Sequence, residues 1–231
     1  MIDIDDAGSG SLIGGTGIGI MRKETEEYVF KVIPPVFFQQ PYFSQKKYQQ
    51  YVIKIVNFSF YKLKVSRNEP IKVCRGYIFD DLRKWLDSEG YTWSNDKIEG
   101  ALQYMVEESF NNYVIMLGLP RNFVQHARFA FGFHRLLKWV FADLNNRAKY
   151  CKSGWKSWIK WSKAPLQVYP KILEQDMYCL KCGKLISKYE TASMLEYHTN
   201  RTWFVPLHTS CCSYSYTQDS SESNSIFTIN S

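Results

Sequence analysis

Ile2-Asp3-Ile4-Asp5-Asp6-Ala7-Gly8-Ser9-Gly10-Ser11-Leu12-Ile13-Gly14-Gly15-Thr16-Gly17-Ile18-Gly19-Ile20 is the stretch on which the reading of this chain turns. Ile2 and Ile4 alternate with Asp3 and Asp5, the period of a strand with one buried face. Six glycines then fall between Ala7 and Gly19, where they allow tight turns and close backbone approach. A second strand is expected from Thr16 to Lys23, a charged turn at Glu24-Thr25-Glu26, and a third strand from Glu27 to Ile33, stopped by Pro34-Pro35. Three early strands joined by short turns predict an antiparallel meander. Carboxylates at the end of a first strand, ahead of a glycine-rich turn, suit a hard divalent cation, which takes carboxylate oxygens together with water and phosphate.

Two other uses of the glycines are open. One is a glycine-rich hairpin carrying surface acids. The other, a dinucleotide loop, is disfavoured. Gly8-x-Gly10-x-x-x-Gly14 misses the fingerprint spacing by one residue, and Thr16-Gly17-Ile18-Gly19-Ile20 reads as strand where that fold needs a helix. No Walker A lysine follows any of these glycines.

Asp5-Asp6-Ala7-Gly8-Ser9-Gly10 resembles the first motif of type 2 ribonuclease H, Asp-Glu-Ala-Gly-Arg-Gly, over about ten residues with its surroundings. The chain has Asp6 where that motif has Glu, Ser9 where it has Arg, and Ser11 where it has Pro. The resemblance implies a ribonuclease H-like α/β fold, a mixed sheet flanked by helices. It implies that Asp5 and Asp6 are metal-binding acids and that Gly8, Ser9 and Gly10 line a nucleic-acid backbone. In such folds a second acid sits between the fourth strand and the following helix, and the last acids come from a later helix. Asp80 and Asp81 match the first position, Glu99 and Glu107 the second.

Further along, Pro41 to about Leu63 reads mostly as helix. Ile71-Lys72-Val73-Cys74 is a short strand after Pro70, and Asp80 to about Ser88 a helix stopped by Gly90. Asp96 and Glu99, three apart, have the spacing of a capping box at a helix start. Leu102, Val106, Phe110, Tyr113 and Leu117 then keep helical phase to Gly118 and Pro120. At about 100° per residue, Glu107 borders that apolar sector and Glu108 faces away. Each acid also has an ordinary reading: aspartates suit the first turn of a helix, and helix glutamates are usually solvated. Asn122 to Lys149 reads as one or two helices, in which His126 and His134, eight apart, have no carboxylate at matching spacing.

The chain has 231 residues, 45% hydrophobic, 22% charged and 16% aromatic, a globular composition that excludes wholesale disorder. No apolar run reaches the ~18 residues of a membrane span. The acidic Met1-Ile2-Asp3-Ile4-Asp5-Asp6 is not a secretory signal, so a cytoplasmic location is expected. The net charge of +7 and a pI near 9.0 favour nucleic acid as partner, with an anionic membrane second. That charge is local, because between Arg121 and Lys171 eleven Lys or Arg residues face a single acid, Asp143. A helix is expected from Lys152 to Lys163, with Lys152, Lys156 and Lys160 on one side as phosphate contacts and Trp155, Trp158 and Trp161 on another. A basic helix rich in Trp also fits a membrane interface.

Four of the six cysteines lie within the last 53 residues. Cys179-x-x-Cys182 is followed, after 25 intervening residues, by His208-x-x-Cys211. Two close pairs of soft ligands predict a structural tetrahedral Zn²⁺ site similar to zinc-ribbon and treble-clef knuckles. Cys212 is an alternative to Cys211, His198 a spare, and a redox or plain buried Cys-x-x-Cys the competing use. Cys74 and Cys151, being single, are read as core residues.

The expected organisation is a ribonuclease H-like α/β domain over residues 1–120, a basic aromatic helical segment over 121–173, a zinc knuckle over 174–212, and a disordered tail over 213–231 holding seven serines. The expected function is metal-dependent hydrolysis of a nucleic-acid phosphodiester with Mg²⁺ or Mn²⁺. The alternative is a non-catalytic, zinc-containing nucleic-acid-binding or adaptor protein.

Overall fold

A computed structural model of the chain describes residues 1–127 and 132–217. These form two compact units, residues 1–136 with 148–159, and 137–147 with 160 onward. The division differs from the boundaries at 120 and 173 read from the sequence, because 148–159 returns to the first unit.

The first unit is α/β. Its strands are β1 (Ile2–Ala7), β2 (Thr16–Arg22), β3 (Glu27–Ile33), β4 (Ile71–Cys74) and β5 (Trp93–Asp96). They make one mixed sheet in the order β3-β2-β1-β4-β5. The first three strands are antiparallel neighbours, whereas β4 runs parallel to β1 and β5 parallel to β4. The helices are α1 (Lys47–Leu63), α2 (Asp80–Ser88) and α3 (Ala101–Met116).

Alternation along β1 and β2 assigns the two faces of the sheet. Ile2, Ile4, Ile18 and Ile20 enter a core with Val52, Val56 and Phe60 of α1 and Leu82 and Leu86 of α2. The opposite face carries Asp3, Asp5, Gly17, Gly19 and Met21 and receives α3, whose buried residues are Leu102, Val106, Phe110 and Val114. The glycines make room for that helix. A Cβ on Gly19 would lie 3.0 Å from Val106, and one on Gly8 would lie 2.0 Å from the Phe110 ring. Gly8 also has φ +76°, a conformation that disfavours any Cβ. Gly8→Ala is therefore expected to cost about 3 kcal/mol of stability, from overpacking and backbone strain together. Urea unfolding measures this, and a midpoint unchanged from wild type would refute the packing described.

One expectation for this unit needs correction. Asp96 and Glu99 do not cap a helix. Asp96 ends β5 and accepts the Lys97 amide at 2.8 Å, and α3 begins only after Gly100, whose φ is +84°. β5 itself was not foreseen from its polar sequence.

Residues 148–154 close the unit. Ile13 and Cys151 form an antiparallel bridge. The Gly14 amide donates to Tyr150 O at 2.9 Å, the Lys152 amide to Leu12 O at 2.9 Å and the Gly154 amide to Phe38 O at 2.9 Å. The helix expected from Lys152 to Lys163 is shorter, Lys156–Trp161, because Lys152 belongs to this preceding segment.

The second unit holds a three-stranded antiparallel sheet of β6 (Gln167–Ile172), β9 (Thr191–His198) and β10 (Thr202–His208), in the order β10-β9-β6. A two-residue-per-strand hairpin, β7 (Met177–Tyr178) with β8 (Leu185–Ile186), carries the Cys-x-x-Cys turn. Phe141, Tyr197 and Trp203 pack ring on ring in its core. Residues 213–217, at the head of the expected loose tail, are tied to this unit: the Thr217 amide donates to Val168 O at 2.8 Å and the Tyr214 hydroxyl to Phe141 O at 2.8 Å. The rest of that tail, 218–231, lies outside the described residues. No helix among the described residues is long and apolar enough to cross a membrane.

Candidate metal centres

Asp5 and Asp6 both sit at the carboxyl end of β1, the middle strand of the sheet. Although strand neighbours start toward opposite faces, one carboxylate oxygen from each and the Cys74 Sγ lie within 4.8 Å of one another. Cys74 reaches the group because β4 runs parallel to β1 and ends at the same edge. Gly76 lies two residues on, and a Cβ there would lie 3.1 Å from Asp6 Oδ1.

The site is partly buried and negative. Asp5 is 6% exposed. Burial raises its carboxyl above the ordinary value, with smaller pushes from Glu107 and Asp3, against hydrogen bonds from Cys74 and the Asp6 amide. Asp6 is pushed up to about 6, first by burial and then by the charge of Asp5, while a hydrogen bond from Ser9 and the charge of Lys152 pull it back. Burial, with the two acids, raises the Cys74 thiol to about 12. A neutral thiol is a poor ligand for a hard cation, but two carboxylates beside open positions for water or phosphate oxygen fit Mg²⁺ or Mn²⁺. Glu107 of α3 shares a shallow pocket with Asp6, Ser9, Phe110 and Asn111.

The electrostatics predict a pH dependence. A folded-state value near 6 against 3.8 in the unfolded chain means the folded state binds more protons between those values. Stability of the metal-free protein then falls as pH rises through that window, by on the order of 3 kcal/mol once both states are ionised. Acidifying from pH 7 to pH 5 is expected to raise the urea midpoint of metal-free protein, and Asp6→Asn to remove most of that rise. A midpoint that falls on acidification would contradict the buried pair.

The other acids lie elsewhere. Asp80 and Asp81 occupy the first turn of α2 and pair one turn on, Asp80 with Arg83 at 2.9 Å and Asp81 with Lys84 at 2.9 Å. Glu99 is exposed in the loop before α3 and pairs with Lys97. None of the three belongs to a cluster within metal-bridging reach. Gly8 forms the turn under Phe110, Ser9 bonds Asp6, and Gly10 is half-buried beside them. Lys152 is fully buried, whereas Lys156 and Lys160 are exposed. Sequence reasoning missed Cys74 as a neighbour of the acids. The available signal was its place as the last residue of a short strand after Pro70.

In the second unit, ligand atoms of Cys179, Cys182, His208 and Cys211 lie within 4.8 Å of one another. Cys182 Sγ and His208 Nδ1 are 3.4 Å apart. His208 Nε2 donates to Leu185 O at 3.0 Å, which leaves the Nδ1 lone pair facing the thiols. Backbone N–H groups aim at sulfur, that of His208 at Cys179 Sγ (3.4 Å) and that of Lys184 at Cys182. Three thiols, one imidazole and oriented amides suit tetrahedral Zn²⁺, and the four residues can hold it. The spare ligands are used otherwise: Cys212 Sγ contacts Tyr214 O at 3.5 Å, and His198 pairs with Glu196 at 3.0 Å.

The Cys-x-x-Cys turn is held from behind by Arg147. Its guanidinium donates to Leu180 O at 2.8 Å and Lys181 O at 2.9 Å and lies 4.1 Å over the Trp139 ring. A scan against protein-family models gives no match, and a search of curated proteins gives none.

Proposed function

We propose that the protein is a metal-dependent nuclease of the ribonuclease H-like type. The observation that carries this reading is the convergence of Asp5 and Asp6, with Glu107 nearby, at the carboxyl end of the middle strand of a β3-β2-β1-β4-β5 sheet. The strand directions and the helices on both faces support the ribonuclease H-like assignment, as does the Asp5-Asp6-Ala7-Gly8-Ser9-Gly10 motif. A divalent cation held by Asp5 and Asp6 would activate water and stabilise the leaving oxygen. Glu107, which lines the same pocket, would orient that water and take its proton. Asn111 offers hydrogen bonds to phosphate oxygens from the same pocket. Exposed Lys156 and Lys160 supply charge for backbone phosphates. Zinc held by Cys179, Cys182, His208 and Cys211 would hold the second unit together and, with four protein ligands, would take no part in chemistry.

One observation favours a second reading. Cys74 stands where a third carboxylate would complete the acid set, so a non-catalytic nucleic-acid-binding or adaptor protein is the alternative. Purified protein with Mg²⁺ or Mn²⁺ should be offered single- and double-stranded DNA, RNA, an RNA–DNA hybrid and a branched duplex. Metal-dependent cleavage of any of them supports the nuclease. Binding without cleavage across the panel supports the adaptor.

A further inference from the structure

Lys152 lies 144 residues along the chain from Gly8, yet its side chain ends at the glycine turn. Its Nζ donates to Gly8 O at 2.6 Å, to Ser9 O at 3.1 Å and to Thr16 Oγ1 at 3.2 Å. An ammonium group has three N–H donors, so every one is used and none remains for a phosphate. The Phe38 and Trp155 rings lie 4.8 and 5.1 Å from the same nitrogen, and the residue is 0% exposed. Burial pulls its amine down to about 7, against the charge of Asp6, and an amine buried this completely is expensive unless it does something an apolar side chain cannot.

What it does is fix a turn. Gly8 is clamped between the Lys152 ammonium group on its carbonyl and the Phe110 ring against its α-carbon. The next residue, Ser9, has its carbonyl on Lys152 and its hydroxyl on Asp6. The backbone around Lys152 is fixed in turn by the Leu12 carbonyl and the Ile13–Cys151 bridge. A chain of contacts therefore runs from residues 148–154 through Lys152 and Ser9 to the Asp6 carboxylate.

We propose that Lys152 is a positioning residue of the acid site: it holds the Gly8–Ser9 turn so that Ser9 orients the Asp6 carboxylate for a divalent cation. The proposal rests on the reading of Asp5 and Asp6 as metal ligands. It gives Lys152 a role in place of the phosphate contact expected from the sequence, and it makes residues 148–154 part of the site.

The test is the affinity of the full-length protein for Mn²⁺ alone, followed by electron paramagnetic resonance, in the wild type, Lys152→Met, Ser9→Ala and the double variant. Circular dichroism and an unchanged zinc content check folding. Deleting a positive charge near Asp6 would by itself tighten Mn²⁺ binding, so weaker binding isolates the loss of positioning. Lys152→Met and Ser9→Ala are each expected to weaken Mn²⁺ about tenfold, and the double variant no more than the worse single one, because both break one chain of contacts. If Lys152→Met does not fold, Thr16→Val, which removes one of the three acceptors at nearly constant volume, takes its place, with an expected loss of about threefold. Mn²⁺ affinity unchanged or tightened in the lysine variant, or losses that add in the double variant, overturns the proposal. A wild-type protein that binds no Mn²⁺ overturns both the proposal and the reading beneath it. Mn²⁺ bound equally by wild type and Lys152→Met overturns the proposal alone.

Discussion

Stripping zinc with a chelator, or replacing Cys179 by Ser, is expected to melt the segment from Met177 to Ile186. The hairpin there has two residues in each strand, far too little to stand alone in water. What secures it is the four-ligand cluster, the Leu180 amide on Pro206 O at 3.0 Å and the Arg147 guanidinium on Leu180 O and Lys181 O. Structural zinc in such knuckles contributes on the order of 10 kcal/mol or more of apparent binding free energy at neutral pH, comparable to the whole stability of an ordinary domain. Losing it leaves only the Leu180 amide and the Arg147 guanidinium to hold the turn, too little for a hairpin this short. Hydrogen exchange reads this directly: the amides of Cys179, Leu180 and Gly183, protected by backbone partners in the structure, should exchange without delay after chelation. Elemental analysis should give one zinc per chain before it. Protein that purifies without zinc and keeps these amides protected would show that the hairpin stands by packing alone.

The cluster of Cys179, Cys182, His208 and Cys211 was legible in the sequence because its chemistry is local: paired ligands at short spacing mark residues that can hold a metal. The same holds for elements bounded by punctuation. β3, β4 and α2 fall where Pro34, Pro70 and Gly90 delimit them, with the residue bounds read from sequence. What escaped depends on distant chain. Trp93-Ser94-Asn95-Asp96 has no strand pattern of its own and becomes a strand only by pairing alongside β4. The glycines of β2 fit a strand by sequence, but what requires them is α3, which arrives more than eighty residues later. Lys152 follows a helical spacing with Lys156 and Lys160, yet its ammonium group is claimed by carbonyls from the first turn of the chain. In each case a tertiary contact outweighed a local periodicity.

Among the acids, the structure ranks what the sequence could only gather, and mutation should recover that ranking. Asp5→Asn keeps the shape of the side chain and removes the charge. If Asp5 holds the divalent cation, cleavage should fall about a thousandfold, as expected when several kcal/mol of charge stabilisation is lost. Asp6→Asn should match it. Glu107→Gln, which leaves the two ligands in place and removes a proton acceptor from the same pocket, should cost about a hundredfold. Asp80→Asn, Asp81→Asn and Glu99→Gln should stay within about twofold of wild type, since these side chains only make exposed ion pairs that count for little. Folding cannot imitate this pattern. Asp5 sits buried beside other carboxylates, so its neutral amide relieves a desolvated charge, and the metal-free Asp5→Asn protein should unfold at higher urea than wild type while it fails to cleave. Cleavage that survives in Asp5→Asn would remove the cation from this cluster. An Asp80→Asn loss as deep as that of Asp5→Asn would mean that the α2 acids close onto the site when substrate binds.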